Sequence, residues 1–425
     1  LTDRAAADPV AALAAFLDLY PTAGGGIGIA VSGGSDSMAL LHAAALLARQ
    51  RSLPLTAATV DHRLRAGSDA EARQVGAVCT GLGVGHAILP WADAPGHGNL
   101  QQAARQARRR LLSAWALREG VSLVLLGHTA DDVAETVLLR LARGSGVDGL
   151  ARMRAWWMAD GVAWGRPFLD LPRAGLRRWL ADRGKTWIDD PSNDDLRHDR
   201  ARARRLMEAL APLGLTRERL CRTAGHMARA REVLEAAAIG RAQTDLRIEQ
   251  GDVLLSPRCL HLQADETAGR LLRAALEWIG GSGKPRWEAL LRAAALVQRG
   301  RRAALGGCTL LPEPWGAAPG GVRVTREMRA VAGLSVPVRS DGPMIWDRWT
   351  IVPPEASPTG DLRVAALGPA GLAQLASVPR NLPAVSLMAS PAIWTGDCLV
   401  AAPLAGGSRG WSCTPASPFP LPVGS

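Results

Sequence analysis

Three hydroxyls, two glycines and a carboxylate stand in one unbroken run, Ser32-Gly33-Gly34-Ser35-Asp36-Ser37. The glycines permit a tight turn and let backbone amides approach an anion closely. Together with the amides that open a following helix, they make a positive cradle for phosphate. Ser32, Ser35 and Ser37 add donors. No Walker lysine is present, so this is not the usual P-loop, and Asp36 suits a phosphate only if Mg²⁺ lies between them. Two more chemistry-bearing runs follow apolar stretches. Asp61-His62 closes Leu55–Val60, and Gly127-His128-Thr129-Ala130-Asp131-Asp132-Val133-Ala134-Glu135 follows Val121–Leu126. Asp131 and Glu135 are four apart, share one helix face and could hold a metal with Asp36, while Asp132 faces elsewhere and suits a cap with Thr129. An acidic first turn also satisfies free amides and the helix dipole, so these carboxylates do not decide the matter alone. Asp61, His62, Gly127 and His128 are candidate nucleotide contacts, although a strand-end histidine can equally be structural.

These residues need a frame that brings strand ends together. Apolar runs at Ile27–Val31, Leu55–Val60, Ala87–Leu89 and Val121–Leu126 read as buried strands. Ser37–Ala48, Ser68–Leu82, Leu100–Arg118 and Asp131–Arg143 read as helices between or after them. Such alternation predicts an α/β fold, a doubly wound parallel sheet whose strand ends open onto one ligand-binding edge. Pro172–Arg183 reads as one more helix and Asp189–Asn193 as a turn. Beyond residue 205 the texture changes. Thr216–Arg241, Thr267–Ile279 and Pro285–Gln298 read as helices, with a hairpin over Leu246–Leu255. From Arg301 short β-like pieces such as Val322–Val324 and Met344–Val352 lie between Gly and Pro. The expected organisation is a lead-in helix (1–23), an α/β catalytic domain (24–206), a helical middle domain (207–300), a small, mostly β C-terminal domain (301–412) and a tail without fixed fold (413–425).

The 425 residues suit two or three domains, and 48% of them are hydrophobic. Lys+Arg 50 against Asp+Glu 39 gives +11, almost all of it arginine, since Lys185 and Lys284 are the only lysines. A charge of that size favours a polyanionic partner, though a coding bias towards arginine would produce it too. The longest apolar run, Met38–Ala48, is well short of the roughly 20 residues of a spanning helix. The first residues lack the basic-then-apolar order of a signal peptide. Six isolated cysteines with no C-x-x-C argue against a zinc ribbon, a redox centre or an iron–sulfur cluster. The expectation is a soluble, cytoplasmic protein with no membrane partner.

The Ser-Gly-Gly-x-Asp-Ser run on its strand resembles the PP-loop (N-type ATP pyrophosphatase) superfamily. Gly127–Thr136 continuing to Arg140-Leu141-Ala142-Arg143-Gly144-Ser145-Gly146-Val147-Asp148-Gly149-Leu150, then Arg166-Pro167-Phe168-Leu169 and Asp190-Pro191-Ser192-Asn193, is similar to its tRNA(Ile)-lysidine synthetase family. The resemblance spans residues 24–206. It implies an adenine nucleotide α-hydrolase-like fold. It also implies a ligase that splits ATP into AMP and diphosphate with Mg²⁺ and joins free L-lysine to the wobble cytidine of the CAU-anticodon tRNA(Ile). The product, lysidine, changes the tRNA from Met to Ile specificity.

The resemblance assigns Ser32–Ser37, with Asp61, His62, Gly127 and His128, to ATP. It assigns Asp36, Asp131 and Glu135 to Mg²⁺ and catalysis, and Arg108 and Arg204 to charge stabilisation. Arg105, Arg108, Asp190, Asn193, Arg200, Arg202 and Arg204 fall to the substrate or tRNA. The chain departs from the family pattern at Arg109, where tyrosine is common, and at Ala201 and Ala203, where asparagine and isoleucine are. A homodimer is left open. The alternatives are another PP-loop tRNA-modifying enzyme and a non-catalytic ATP-binding α/β module. A base thiolase would want paired cysteines. A sensor would not need the acidic set or the arginine clusters.

Overall fold

The computed structural model describes residues 8–22, 24–63, 67–92, 100–189, 199–281, 283, 285–339, 342–354, 361–379 and 382–421. The chain forms two compact units, Leu1–Arg231 and Glu232–Ser425.

The first unit runs α1 (Pro9–Leu19), β1 (Gly26–Ala30), α2 (Ser35–Arg51), β2 (Leu55–Asp61), α3 (Ser68–Leu82), β3 (Gly85–Pro90), α4 (Leu100–Arg118), β4 (Val121–Leu126), α5 (Ala130–Leu141), α6 (Val147–Leu150), β5 (Trp156–Ala159), β6 (Val162–Gly165), α7 (Arg173–Ala181), α8 (Asp199–Leu210) and the start of α9 (Arg217–Asp245). Its sheet has the order β3-β2-β1-β4-β6-β5, parallel except for β5, which pairs antiparallel with β6. The doubly wound parallel sheet is therefore as expected, with one added hairpin. That hairpin turns at Asp160-Gly161, both with positive φ (53° and 76°), as a two-residue primed turn requires.

Helices cover both sheet faces, because strands buried on both sides must be covered twice. On one face Leu13, Phe16 and Leu17 of α1, Met38–Ala45 of α2, Val75 and Cys79 of α3, and Leu176, Trp179 and Leu180 of α7 close a single core. On the other, Leu112, Trp115 and Ala116 of α4 pack on Val121, Val124 and Leu126. Trp115 is 1% exposed and its ring fills the space beside Gly28, where any Cβ would lie 2.7 Å from it. Trp115→Ala is expected to cost about 3–5 kcal/mol, read as a lower urea midpoint at unchanged slope.

The second unit pairs β7 (Leu246–Glu249) and β8 (Asp252–Leu255) with β9 (Ala303–Leu305), β10 (Cys308–Trp315) and β11 (Ala318–Arg326) in the order β7-β8-β11-β10-β9. The apolar stripes of α10 (Glu266–Gly280) and α11 (Trp287–Gln298) pack on that sheet, so the hairpin expected over Leu246–Leu255 within the helical middle segment shares one sheet with strands beyond residue 300. Amphipathic helices need an apolar partner, and here strands from both sides of that point supply it. Two small sheets follow. β12 (Ser335–Pro337) pairs with β15 (Leu362–Ala366), and β15 continues to β16 (Pro391–Thr395) and β17 (Cys398–Ala401). β13 (Met344–Trp346), β14 (Trp349–Val352) and β18 (Ser412–Pro415) form the other. The tail, expected to lack a fixed fold, thus supplies a strand, and Phe419 and Leu421 pack against the α10–α11 core.

No described helix is long and apolar enough to cross a membrane. All six cysteines are free; Cys79, Cys259 and Cys308 are buried, Cys221 and Cys413 half-buried, and Cys398 exposed.

Candidate active site

In the strand order of the first unit, β1 is flanked by β2 and β4, so the connections leaving its end diverge and open a crevice there. A cleft of about 760 Å³ occupies that crevice. Ser32, Gly34, Ser35, Asp36 and Ser37 line it from β1 and α2. Gly127, His128 and Asp132 line it from β4 and α5, and Arg108, Arg173, Arg177, Arg200 and Arg204 from the surrounding helices.

The loop is built from its own hydroxyls. Ser37 Oγ donates to Gly34 O (3.0 Å) and accepts from Ser32 N (3.1 Å), while Ser35 Oγ donates to Asp36 Oδ1 (3.1 Å). Gly33 sits at φ +84°, and its carbonyl accepts from Ile188 N at 2.9 Å. A Cβ there would meet Ile188 Cδ1 at 2.7 Å, so both the turn and the covering segment require glycine. Gly127 is required for a different reason. A Cβ on it would lie 2.8 Å from Asp36 O and 3.0 Å from Ser37 N, because the end of β4 presses on the first turn of α2.

Arg173 is the hub of the acidic groups. Its Nε donates to Asp36 Oδ2 at 2.8 Å and its Nη1 to Glu135 Oε1 at 3.3 Å; Nη2 lies 3.3 Å from Asp132 Oδ2. Its backbone N–H donates to Asp131 Oδ2 at 2.7 Å, and Arg217 stands 3.6 Å from the other oxygen of Asp131. From α8, Arg200 donates to Asp132 Oδ1 (3.2 Å) and Arg204 to Glu135 Oε1 (2.7 Å). Four carboxylates thus face four guanidiniums. Burial pushes the Asp36 carboxyl above its ordinary value, with Arg173 opposing. Burial would raise Asp132 as well, but the Arg173 and Arg200 guanidiniums and the Thr129 backbone N–H outweigh it and hold that carboxyl low. The Arg173 guanidinium, despite burial, is held charged more firmly by Asp36, Asp132 and Glu135.

Asp132 therefore does two things. With Thr129 it closes a capping box, Thr129 N donating to Oδ2 at 2.9 Å, and it also lines the cleft. Asp131 and Glu135 both meet Arg173 from one helix face, Asp131 at its backbone N–H and Glu135 at its guanidinium, but neither lines the cleft. Asp61 is committed locally, accepting from Ser68 Oγ (2.7 Å) and Arg63 N (3.0 Å). His62 packs edge-on to Trp91, and burial and Arg108 lower its pKa against the pull of Asp61. Neither Asp61 nor His62 lines the cleft. Arg202 is exposed and pairs with Asp199. Asp190 and Asn193 lie outside the described residues.

Arg105 and Arg108 have no carboxylate partner among the described residues. Burial and neighbouring arginines (Arg200 for both, with Arg140 and Arg143 beside Arg105) lower their pKa values. Uncompensated charge held this way stabilises an incoming anion.

Residues 11–210 match the PP-loop domain family. The tRNA(Ile)-lysidine synthase of Ruegeria pomeroyi is 45% identical over 390 residues, 91% of this chain and 90% of that protein. The chain belongs to the tRNA(Ile)-lysidine synthase family. Proteins of the same name from Methylobacterium nodulans and Zymomonas mobilis are 42% identical over 270 residues (63% of this chain, 79% of that protein) and 38% over 287 (66% and 84%).

Within this member of the lysidine synthase family, the residues that sequence reading missed are Arg166, Arg173 and Arg177. Arg177 Nε contacts Ser35 Oγ at 3.2 Å, and its Nη2 donates to Asp189 at 2.6 Å. Arg173 and Arg177 are four apart on α7, the spacing that puts both on one face, and that was the available signal. The departures from the family pattern at Ala201 and Ala203 are buried on α8, where small side chains let the helix pack on α5. Arg200 and Arg204 meanwhile reach the cleft.

For Mg²⁺, the test is the donor set. Asp36 Oδ2 and Glu135 Oε1 already flank one cation, the Arg173 guanidinium, and Glu135 Oε2 is buried without a hydrogen-bond partner. Among the described residues no three acidic, histidine or cysteine side chains converge as a metal cage. Mg²⁺ bound with ATP needs only one or two protein carboxylates, so Asp36 and Glu135 fit that share.

Proposed function

We propose that the chain ligates free L-lysine to the wobble cytidine of the CAU-anticodon tRNA(Ile) in the cytoplasm. The observation that carries this is a hydroxyl-and-amide cradle, carboxylates and five arginines around one cleft, in a chain 45% identical to a tRNA(Ile)-lysidine synthase along nine-tenths of its length. In the first step the only carbonyl oxygen of the cytosine, O2, bonds to the α-phosphorus of ATP. The α–β bridging P–O bond breaks, and pyrophosphate leaves. In the second, the lysine Nε lone pair attacks C2, and the C2–O bond breaks with AMP as leaving group.

The Ser32–Ser37 loop grips the pyrophosphate, with Arg177 behind Ser35. Arg108 and Arg204 offset charge as the α–β bond breaks. Asp36 and Glu135 would hold Mg²⁺, which would supply charge neutralisation on the phosphates. The lysine ammonium has a pKa of about 10.4 and must lose a proton before it attacks. Of the carboxylates that line the cleft, Asp36, Asp132 and Asp189, Asp36 and Asp132 stand beside the Ser32–Ser37 loop and can bind that ammonium and take the proton. Residues 24–206 carry the chemistry, and 207–300 with the part beyond contribute to holding the tRNA, whose anticodon loop is single-stranded and can splay the base.

The test is transfer of labelled lysine to tRNA(Ile) with a CAU anticodon, with initiator tRNA and Asp36→Asn as controls. Label on the isoleucine tRNA alone, lost in the variant by about 10³-fold or more, is the expected result. Pyrophosphate release without label would sink lysine as the nucleophile. Arg105→Ala is expected to weaken tRNA binding and to lower the slope of log K against log salt by about 0.7–0.9, the share of one phosphate contact.

A further inference from the structure

His128 lines the cleft one residue beyond the point where β4 presses on α2. Its Nδ1 faces Arg166 Nε at 3.1 Å. A guanidinium has donors only and keeps its charge, so Nδ1 must be the accepting, unprotonated nitrogen and the ring hydrogen sits on Nε2. Nε2 has no hydrogen-bond partner among the described residues, and the ring borders the cleft.

Arg166 is itself fixed. Its Nη1 donates to Arg154 O at 2.8 Å and its backbone N–H to Ala155 O at 2.8 Å. The guanidinium carbon sits 4.0 Å from the centroid of the Trp157 ring, which stacks on Trp164 with centroids 5.9 Å apart. The β5–β6 hairpin and the residues flanking it thus anchor the group that orients a cleft residue.

We propose that Arg166 is a positioning residue for adenylation: it fixes His128 as a neutral imidazole whose Nε2–H is donated to an acceptor oxygen of the bound nucleotide, and so removes His128 as a base. This rests on the ligase reading above. The cleft is not short of positive charge, having Arg108, Arg173, Arg177, Arg200 and Arg204. What a fixed neutral ring adds is direction: a donor in place before the transition state forms, with no reorganisation and no further repulsion among the arginines. The groups that face it oppose a second proton. Burial comes first, then Arg166, Arg108 and Arg200, against Asp132 alone, and together they draw the ring down to about 3. Arg166, lowered by burial to about 10 with Asp132 opposing, is still charged at neutral pH. The proton of the lysine ammonium therefore goes to a carboxylate, not to His128.

The experiment combines nitrogen NMR of ¹⁵N-histidine-labelled protein with steady-state pyrophosphate release. The His128 signals are identified by their loss in His128→Gln. In the unchanged protein, without substrates, Nδ1 is expected to give an unprotonated-type signal that does not shift around neutral pH. In Arg166→Met the ring is expected to exchange between tautomers and kcat to fall about 10²-fold, with the KM for ATP changed about threefold at most. Arg166→Lys keeps a charged donor and is expected to recover part of both readouts. Melting temperatures show whether each variant is folded.

An Nδ1–H tautomer in the unchanged protein would overturn the proposal, as would a folded Arg166→Met with mixed tautomers and undiminished kcat. No tRNA-dependent pyrophosphate release from the unchanged protein would sink the ligase reading, and the adenylation role with it, while the substrate-free spectra report separately on the tautomer.

Discussion

Arg173→Met is expected to destabilise the first unit by about 3–5 kcal/mol and to abolish lysine transfer to within about a thousandth of the starting rate. The side chain is 20% exposed and faces Asp36, Asp132 and Glu135, which are 17%, 6% and 0% exposed. Removing it leaves three carboxylates crowded together, with Arg200 and Arg204 the remaining guanidiniums paired with them among the described residues. A lysine in its place is expected to fail nearly as badly, because one ammonium cannot present the planar fork that reaches three acids at once. Urea unfolding reads the stability and labelled-lysine transfer reads the reaction. Adding Asp36→Asn to Arg173→Met separates the two effects. The double variant should regain part of the stability, since one stranded charge is gone, and none of the activity. Equal stability of the single and double variants would show that the two side chains are not coupled.

Gly127→Ala is expected to be strongly damaging, because the atoms its methyl meets are all backbone. The new Cβ would sit 2.8–3.0 Å from Asp36 O, Asp36 C and Ser37 N, all backbone atoms. No rotamer can relieve that contact, so either the end of β4 or the first turn of α2 must move. A shift of the Ser32–Ser37 loop by even a fraction of an ångström should lower kcat about 10²-fold, with about 1–3 kcal/mol of stability lost to overpacking. Gly81→Ala is the matched control. Gly81 lies within α3, and a Cβ there meets nothing within 4 Å. It is expected to gain about 0.5–1 kcal/mol and to keep its activity. Thermal unfolding and pyrophosphate release on both variants check the pair.

What the sequence made legible follows from how local each signal is. Buried strands flanked by amphipathic helices reveal themselves by period, and α3 and α4 fall at Ser68–Leu82 and Leu100–Arg118 as the pattern predicts. The strand-to-helix turn at Ser32–Ser37 was equally legible, because its glycines and hydroxyls are six consecutive residues. The hub was not. Arg173 lies 137 residues from Asp36, and nothing near it in sequence announces four carboxylates. The β5–β6 hairpin was missed although Asp160-Gly161 is a strong turn signal between tryptophan-rich strands. Asp131 and Asp132 show the limit of helical phase as a guide. Phase separated the two side chains correctly, but it was the cap residue Asp132 that also lined the cleft, since the first turn of α5 borders it.

The unequal burial of the cysteines has a practical corollary. Burial raises the thiols of Cys79, Cys221 and Cys259 to about 11 and those of Cys308 and Cys413 to about 12, leaving almost no reactive thiolate on them at neutral pH. Cys398 alone is exposed. A maleimide fluorophore added at one equivalent should therefore mark the β16–β17 end of the second unit without any engineered cysteine. Peptide mapping would locate the dye, and its emission would then report tRNA docking on the native sequence.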